Sequence, residues 1–334
     1  MNKENLSGKK VFVTGADGFI GSHLIEHLVY LGAEVRAMVY YNSWNENGWL
    51  NDIDSKVFDN IEIFKGDIRD SERVSDGIKS CEYVFHLSSL IAIPYSYEAT
   101  RSYVDTNISG ALNVLESSRR SDSLTRLIHV STSEVYGSAQ TVPIAESHPL
   151  IGQSPYSASK IAADKIAESF NLSFGLPVVT ARPFNTFGPR QTARAVIPTI
   201  ISQVLSGSKE LRLGSLSPTR DFNYVKDTAN GMALLALCKE AEGQAVNIGT
   251  GKEWSIKETV QMILDITGSD AKIISDESRI RPEKSEVNRL IADNDKIKSL
   301  TPWTDQVDFM MGLQHTANWI EKNMHHFDIS EYAK

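Results

Sequence analysis

The sequence predicts an α/β protein, a doubly wound parallel sheet covered by helices on both faces, followed by a smaller C-terminal lobe. Three observations point there. Strand-like and helix-like segments alternate from the start of the chain. The strand segments are continuous apolar runs, as expected of strands buried on both faces. A glycine-spaced turn, GADGFIG, falls between the first strand and the first helix, where such a turn has a mechanism.

Taken in order, KKVFVTG is β-branched and apolar and ends at Gly15. GFIGSHLIEHLVYLG then puts Ile20, Leu24, Leu28 and Leu31 on one helical face and stops at Gly32, the pattern of an amphipathic helix with a glycine terminator. EVRAMVYY, IEIFKGD, YVFHLSS, RLIHVST and LPVVTARPF are further strands, and SYVDTNISGALNVLESSRR and YSASKIAADKIAESF are helical stretches among them. After Phe184 the pattern turns irregular, with short strands (ELRLG, AVNIG) between helices (AVIPTIISQVLSG, DTANGMALLALCKE, SIKETVQMILDITG). The expected division is a dinucleotide-binding domain over 1–183, to which 221–250 returns, and a substrate-binding domain over 184–220 and 251–334.

Composition narrows the function. Of 334 residues, 41% are hydrophobic and 23% charged, and the net charge is −8. No basic stripe is present to neutralise phosphates, which argues against a nucleic-acid partner. No apolar run approaches the ~20 residues needed to span a bilayer, and MNKENLSGKK lacks the apolar core of a signal peptide. The only cysteines, Cys81 and Cys238, lie far apart and read as buried thiols in a reducing cytoplasm. His325 and His326 have no acidic or cysteine neighbour at ligand spacing, so no metal site is expected.

Each glycine of the turn has a task. Gly15 permits the tight bend, Gly18 lets backbone approach a pyrophosphate at the helix N-terminus, and Gly21 allows close helix–sheet packing. Asp67, ending the third strand in GDI, is placed to bond an adenine amino group. The acid expected at the end of the second strand, which would bond the ribose of NAD, is missing. Val39 and Tyr40 stand there, and the strand's only arginine, Arg36, lies earlier. The cofactor expected is a nicotinamide dinucleotide, NAD with NADP open, because this strand end does not decide between the two.

Tyr156 and Lys160 lie four apart at the start of a helix, hence on one face. A tyrosine with a pKa near 10 is a poor base at neutral pH, and a nearby ammonium would favour its phenolate. The strand RLIHVSTS ends in hydroxyls followed by Glu134. Ligands of parallel sheets bind beyond the carboxyl ends of the strands, so Thr132, Ser133 and Glu134 should face the same crevice as Tyr156. There Thr132 can bond a sugar hydroxyl and Glu134 can move a proton.

With these residues in place, the chain resembles the extended short-chain dehydrogenase/reductase family of nucleotide-sugar epimerases, dehydratases and decarboxylases. The resemblance runs nearly end to end, through GADGFIG, GDIRD, VFHLSS, the Asn107 helix, STSEVYG, YSASK, RPFNTFGPR, RDFNYVKD, NIGTG and RPEK. It implies a Rossmann domain with a small C-terminal substrate domain, and a homodimer formed through the helices around Asn107 and Lys160. It implies cofactor contacts from Asp17, Phe19, Ile20, Ile68, Leu87, Ser88 and Asn107 beside the glycines, Asp67, Tyr156 and Lys160. It assigns Asn185, Arg190, Arg220 and Arg281 to the sugar nucleotide. His86 is either part of the cofactor crevice or a structural histidine.

Within the family, Thr132-Ser133-Glu134 is similar to the 4,6-dehydratases, especially those acting on GDP-sugars. Enzymes for dTDP-glucose usually carry Asp-Glu where this chain has Ser133-Glu134. YNSWNENGWL and RPFNTFGPRQTARAVIPTII most resemble dehydratases of GDP- or UDP-N-acetylglucosamine in legionaminic-type sugar biosynthesis. The resemblance thus implies conversion of such a hexose to its 4-keto-6-deoxy derivative, by hydride transfer from C4 to C6. A UDP-glucuronate decarboxylase and a C4 epimerase are the alternatives.

Overall fold

The computed structural model describes residues 5–279 and 285–328. Seven strands make the main sheet: β1 (Lys10–Thr14), β2 (Glu34–Tyr40), β3 (Ile61–Gly66), β4 (Tyr83–His86), β5 (Arg126–Val130), β6 (Val178–Pro183) and β7 (Ala245–Ile248). Their order is β7-β6-β5-β4-β1-β2-β3 and every pairing is parallel. The chain therefore reverses direction across the sheet between β1 and β4, the place where doubly wound folds hold their ligands. Thr14, the last residue of β1, is in register with Met38 on one side and His86 on the other.

Strand β7 is the AVNIG segment, which crosses back from the C-terminal half to extend the sheet beside β6. ELRLG stays outside the main sheet and pairs with Lys272–Ser275. The second lobe has its own core. Ile197, Ile200, Ile201, Val260, Ile263 and Leu313 pack there, and Phe222 and Trp254 both stack on Phe309.

Two helices set the site. Helix α1 (Phe19–Tyr30) starts at Gly18 without a side-chain cap or an acid in its first turn, so its leading N–H groups are available to an anion. Helix α2 (Pro155–Phe174) starts with every local signal present. Ser154 and Ser157 form a reciprocal capping box, Pro155 occupies the first turn, and Gly175 ends the helix at φ 65°. Such caps fix where a helix begins, and Tyr156 is thereby committed to the first turn with Lys160 one turn on.

One helical stretch departs from expectation. SYVDTNISGALNVLESSRR contains a π-helical segment at Val104–Ser109 between two α-helical pieces. Gly110 lies close against Ile68 at that junction, and the wider turn carries Asn107 to the 87–92 loop.

The approach of α1 to the glycine turn leaves no room for a side chain. Gly15 adopts φ 68° with the backbone of Leu87 and Ser88 against it, and a Cβ on Gly21 would lie 2.0 Å from the Gly15 carbonyl oxygen. Gly21→Ala is expected to lower the free energy of unfolding by about 3 kcal/mol, read as a lower denaturant midpoint; an unchanged midpoint would mean that the turn yields at little cost.

Candidate active site

A cleft of about 900 Å³ runs across the carboxyl ends of the strands and between the lobes. Gly15, Gly18 and Gly21 lie at one end with Asp17, Phe19 and Ile20. Asp67, Ile68, Leu87 and Ser88 continue the wall, and Thr132, Ser133, Glu134 and Tyr156 form its middle. Asn185 and Arg220 lie on the side of the second lobe. The sequence-derived residues that the cleft brings together thus come from both lobes.

The middle is built around one hydroxyl. Thr132 caps the short 3₁₀ turn Ser133–Tyr136, where its Oγ1 accepts from the Glu134 N–H at 3.2 Å. The same Thr132 hydroxyl acts on the Tyr156 phenol, pulling its pKa down. Burial pushes the Tyr156 phenol up, the Thr132 hydroxyl opposes it, and the nearby Glu134 carboxylate adds to the rise. The phenol is consequently neutral at working pH. Lys160 is buried below the cleft wall, where its Nζ donates to the Val130 carbonyl at 2.6 Å. Burial lowers its amine to about 8, against the pull of Asp164.

At the cofactor end, Asp17 supplies a carboxylate where β2 lacks one. Its Oδ2 accepts from the Tyr40 N–H at the end of β2, 2.9 Å away, and its carbonyl accepts from the Trp49 N–H. Asp67 pairs with Arg69, which also lines the cleft. The N–H groups of Leu87 and Ser88 donate to Thr14 Oγ1 at 3.2 and 3.1 Å. That hydroxyl has its own hydrogen left for His86 Nδ1, 2.9 Å away. His86 is buried and bonded through Nδ1, and it is not among the residues that line the cleft.

Several assigned residues sit elsewhere. Asn107 is buried off the cleft wall, bonded to the Leu90 N–H and C=O and to Ser159 Oγ, so it shapes the 87–92 loop. Arg190 turns away: at φ 68° its side chain is buried against α1, bonded to His23 Nδ1 at 2.7 Å and to the Glu26 carboxylate. Burial pushes Glu26 up, but the His23 and Arg190 hydrogen bonds outweigh it and hold the carboxyl at about 2. Arg281 lies outside the described residues.

The cleft also holds residues that the sequence did not single out. Gln191 and Arg194 line it from the loop after Arg190. Asn185 Oδ1 and Gln191 Oε1 are buried without hydrogen-bond partners, the state of acceptors awaiting a ligand's O–H or N–H. Arg220 is bonded to Glu286 at 3.4 Å and Arg279 to Asp276 at 3.0 Å, whereas Arg194 is exposed. The quoted motif FGPRQTAR contained this signal, but nothing in it says which arginine faces inward.

Elsewhere, Cys81 and Cys238 are buried free thiols. His326 packs its ring on Trp49, 3.8 Å from Asp52. No helix among the described residues is long and apolar enough to cross a membrane.

A parallel sheet with an uncapped glycine turn at its switch point, and a Tyr-x-x-x-Lys helix facing a serine-threonine-glutamate strand end, defines the extended short-chain dehydrogenase/reductase class. Within it, the chain belongs to the GDP-mannose 4,6-dehydratase family, whose model matches residues 12–316. It is 31% identical over 319 residues to the dTDP-glucose 4,6-dehydratase of an Actinoplanes species, covering 94% of this chain and 98% of that one. The dTDP-glucose 4,6-dehydratase of Streptomyces venezuelae, solved with NAD bound, superposes with a TM-score of 0.83 at 27% identity, covering 96% and 99% of the two chains. The UDP-glucose 4-epimerase of Thermotoga maritima, solved with UDP-glucose, gives 0.84 at 27% identity, covering 94% and 99%. Dehydratases and epimerases of nucleotide sugars share this architecture, so the reaction must be argued from the cleft.

The buried amine yields a test. Lys160 is lowered to about 8 from an ordinary 10.5, so its burial costs stability below pH 8 and the cost fades as pH rises toward the unfolded value. Lys160→Met is expected to be more stable than the wild type at pH 7 by about 2 kcal/mol, with the difference shrinking above pH 8. Equal stability across that range, in denaturant titrations, would show that the amine is not paying for its burial.

Proposed function

We propose that the protein is a nucleotide-sugar 4,6-dehydratase acting on a GDP- or UDP-N-acetylglucosamine-type hexose with a resident nicotinamide dinucleotide, NAD. The observation that carries this reading is the position of Glu134. Glu134 lines the same cleft as Tyr156, near enough to raise the phenol's pKa, on a turn capped by Thr132, whose hydroxyl acts on that phenol in the opposite direction.

The residues present fit the dinucleotide. The uncapped start of α1 and the side-chain-free approach at Gly15 and Gly18 suit a pyrophosphate. Asp67 is placed for adenine, and Asp17 stands at the end of β2 where a ribose would lie. When bound, the nicotinamide accepts a hydride from C4 of the sugar and returns it at C6.

The chain's own groups handle the protons. Tyr156, made more acidic by the nicotinamide's positive charge, takes the proton of the C4 hydroxyl, with Thr132 orienting that oxygen. The 4-ketone acidifies the C5 proton, which Glu134 removes. Since Ser133 offers no acid, Glu134 then returns that proton to the departing C6 hydroxyl, which leaves as water. Once the hydride is back at C6, C5 is reprotonated by a proton that has exchanged with solvent. Each positioned transfer is typically worth 10²–10⁴-fold. In this reading Arg194, in place of the inward-turned Arg190, joins Arg220 at the diphosphate, for which a guanidinium fork is suited. Asn185 and Gln191 accept from the sugar.

Leu112 and Leu172 are exposed on the helical stretches around Asn107 and Lys160, which supports pairing of two copies there. Sedimentation velocity should show a dimer, and Leu172→Glu should give the monomer.

The reaction is tested by incubating the protein with UDP- and GDP-N-acetylglucosamine and with UDP-glucuronate, in ordinary and heavy water. The expected product has lost one water and gained one deuterium at C5. Carbon dioxide release from the glucuronate would identify a decarboxylase, and an unchanged mass with inverted C4 an epimerase. Glu134→Gln should still reduce the bound cofactor but stall before water loss, with turnover down at least about 10²-fold; normal turnover would remove that carboxylate from the chemistry.

A further inference from the structure

We propose that the buried Asp164–Arg182 ion pair is the positioning element that holds the Thr132–Glu134 turn against the Tyr156–Lys160 helix. The inference rests on the dehydratase reading for its kinetic consequence and on hydrogen-bond geometry for its existence.

Asp164 lies on α2 one turn beyond Lys160 and two beyond Tyr156. Its carboxylate accepts from Ser131 Oγ at 2.9 Å, from His129 Nε2 at 3.2 Å, and from Arg182 Nε and Nη2 at 3.2 and 3.1 Å. Arg182, on β6, uses its Nη1 to donate to the Tyr136 hydroxyl at 3.0 Å. Tyr136 in turn donates to Asn247 Oδ1 on β7 at 2.6 Å.

The order along the chain gives these contacts their meaning. Ser131 immediately precedes Thr132, and Tyr136 follows Glu134 by two residues. The entry to the catalytic turn is tied to one half of the ion pair and its exit to the other. The half that holds the entry belongs to the helix carrying Tyr156. Two chain segments that never pair as secondary structure are thereby registered to each other through one carboxylate and one guanidinium.

Stability alone is a poor reason for this arrangement. Ser131, Tyr136, Asp164 and Arg182 are exposed by 6%, 0%, 3% and 5%, and apolar residues of the same volume often replace a buried ion pair without loss. Direction is what apolar packing cannot supply, since a guanidinium fork and a carboxylate accept only certain partners at certain angles. The pair also keeps its charge. Burial pushes the Asp164 carboxyl up, but His129, Arg182 and Ser131 outweigh it and hold it below its usual value.

Removing either ion would leave its partner charged and buried, so the test removes the two neutral struts instead, with Ser131→Ala and Tyr136→Phe in the full-length protein. Each variant should lower kcat by about tenfold or more, as displacement of a reacting group does. KM for the nucleotide sugar and the content of bound cofactor should stay within roughly twofold of wild type. Reduced cofactor should accumulate during turnover, because the step at Glu134 is slowed more than the step at Tyr156. Unchanged kcat in both variants, or a loss of bound cofactor in proportion to kcat, would overturn the proposal. Amide hydrogen exchange gives a reading independent of the reaction. Residues 132–136 should exchange faster in both variants while the rest of α2 does not, and wild-type exchange there would overturn the proposal even if no sugar nucleotide proves to be a substrate. Failure of the wild type to turn over any nucleotide sugar, with faster exchange in the variants, would instead refute the assigned reaction and leave the clamp standing.

Discussion

The site depends on keeping charge out of water behind β5. Lys160, Asp164 and Arg182 are each at most 5% exposed, in a region where an unpaired ion would be prohibitively costly. The surrounding sequence is organised to meet that demand. The Val130 carbonyl takes the amine, His129 and Ser131 donate to the carboxylate, and Tyr136 accepts from the guanidinium. The hydroxyl-rich end of β5 follows from this. Ser131 faces an ion below the wall, while Thr132 faces the phenol and the turn above it.

The fold was legible because its signals are local and redundant. Continuous apolar strands, a glycine turn whose backbone contacts exclude side chains, and a helix start with cap, proline and terminating glycine each specify one element without reference to the rest. The return of AVNIG to the main sheet was also readable, since its composition matches the other buried strands. The π-helical segment was not. It arises from the packing of Gly110 on Ile68 and the reach of Asn107, which no periodicity records.

Residues whose place is set by backbone, including Thr132, Glu134, Tyr156 and the glycines, line the cleft. Long side chains were harder to place. Arg190 and Arg194 sit four apart in one motif, yet the left-handed backbone at Arg190 sends its guanidinium into α1, and Arg194 is the one that lines the cleft. Asn107 bonds backbone of a loop some seventeen residues earlier, a contact that spacing cannot reveal. The missing acid of β2 has a structural counterpart in Asp17, whose carboxylate reaches the end of that strand from the glycine turn.

The contact between Arg190 and Glu26 ties two ligand regions together mechanically. Glu26 belongs to the helix whose uncapped first turn lines one end of the cleft, and Arg190 opens the loop that presents Gln191 and Arg194 to the other half. A tilt of the second lobe that displaced Arg190 would therefore pull on α1. The glycine turn and the loop at the far end of the cleft are thus braced against each other through a single buried guanidinium.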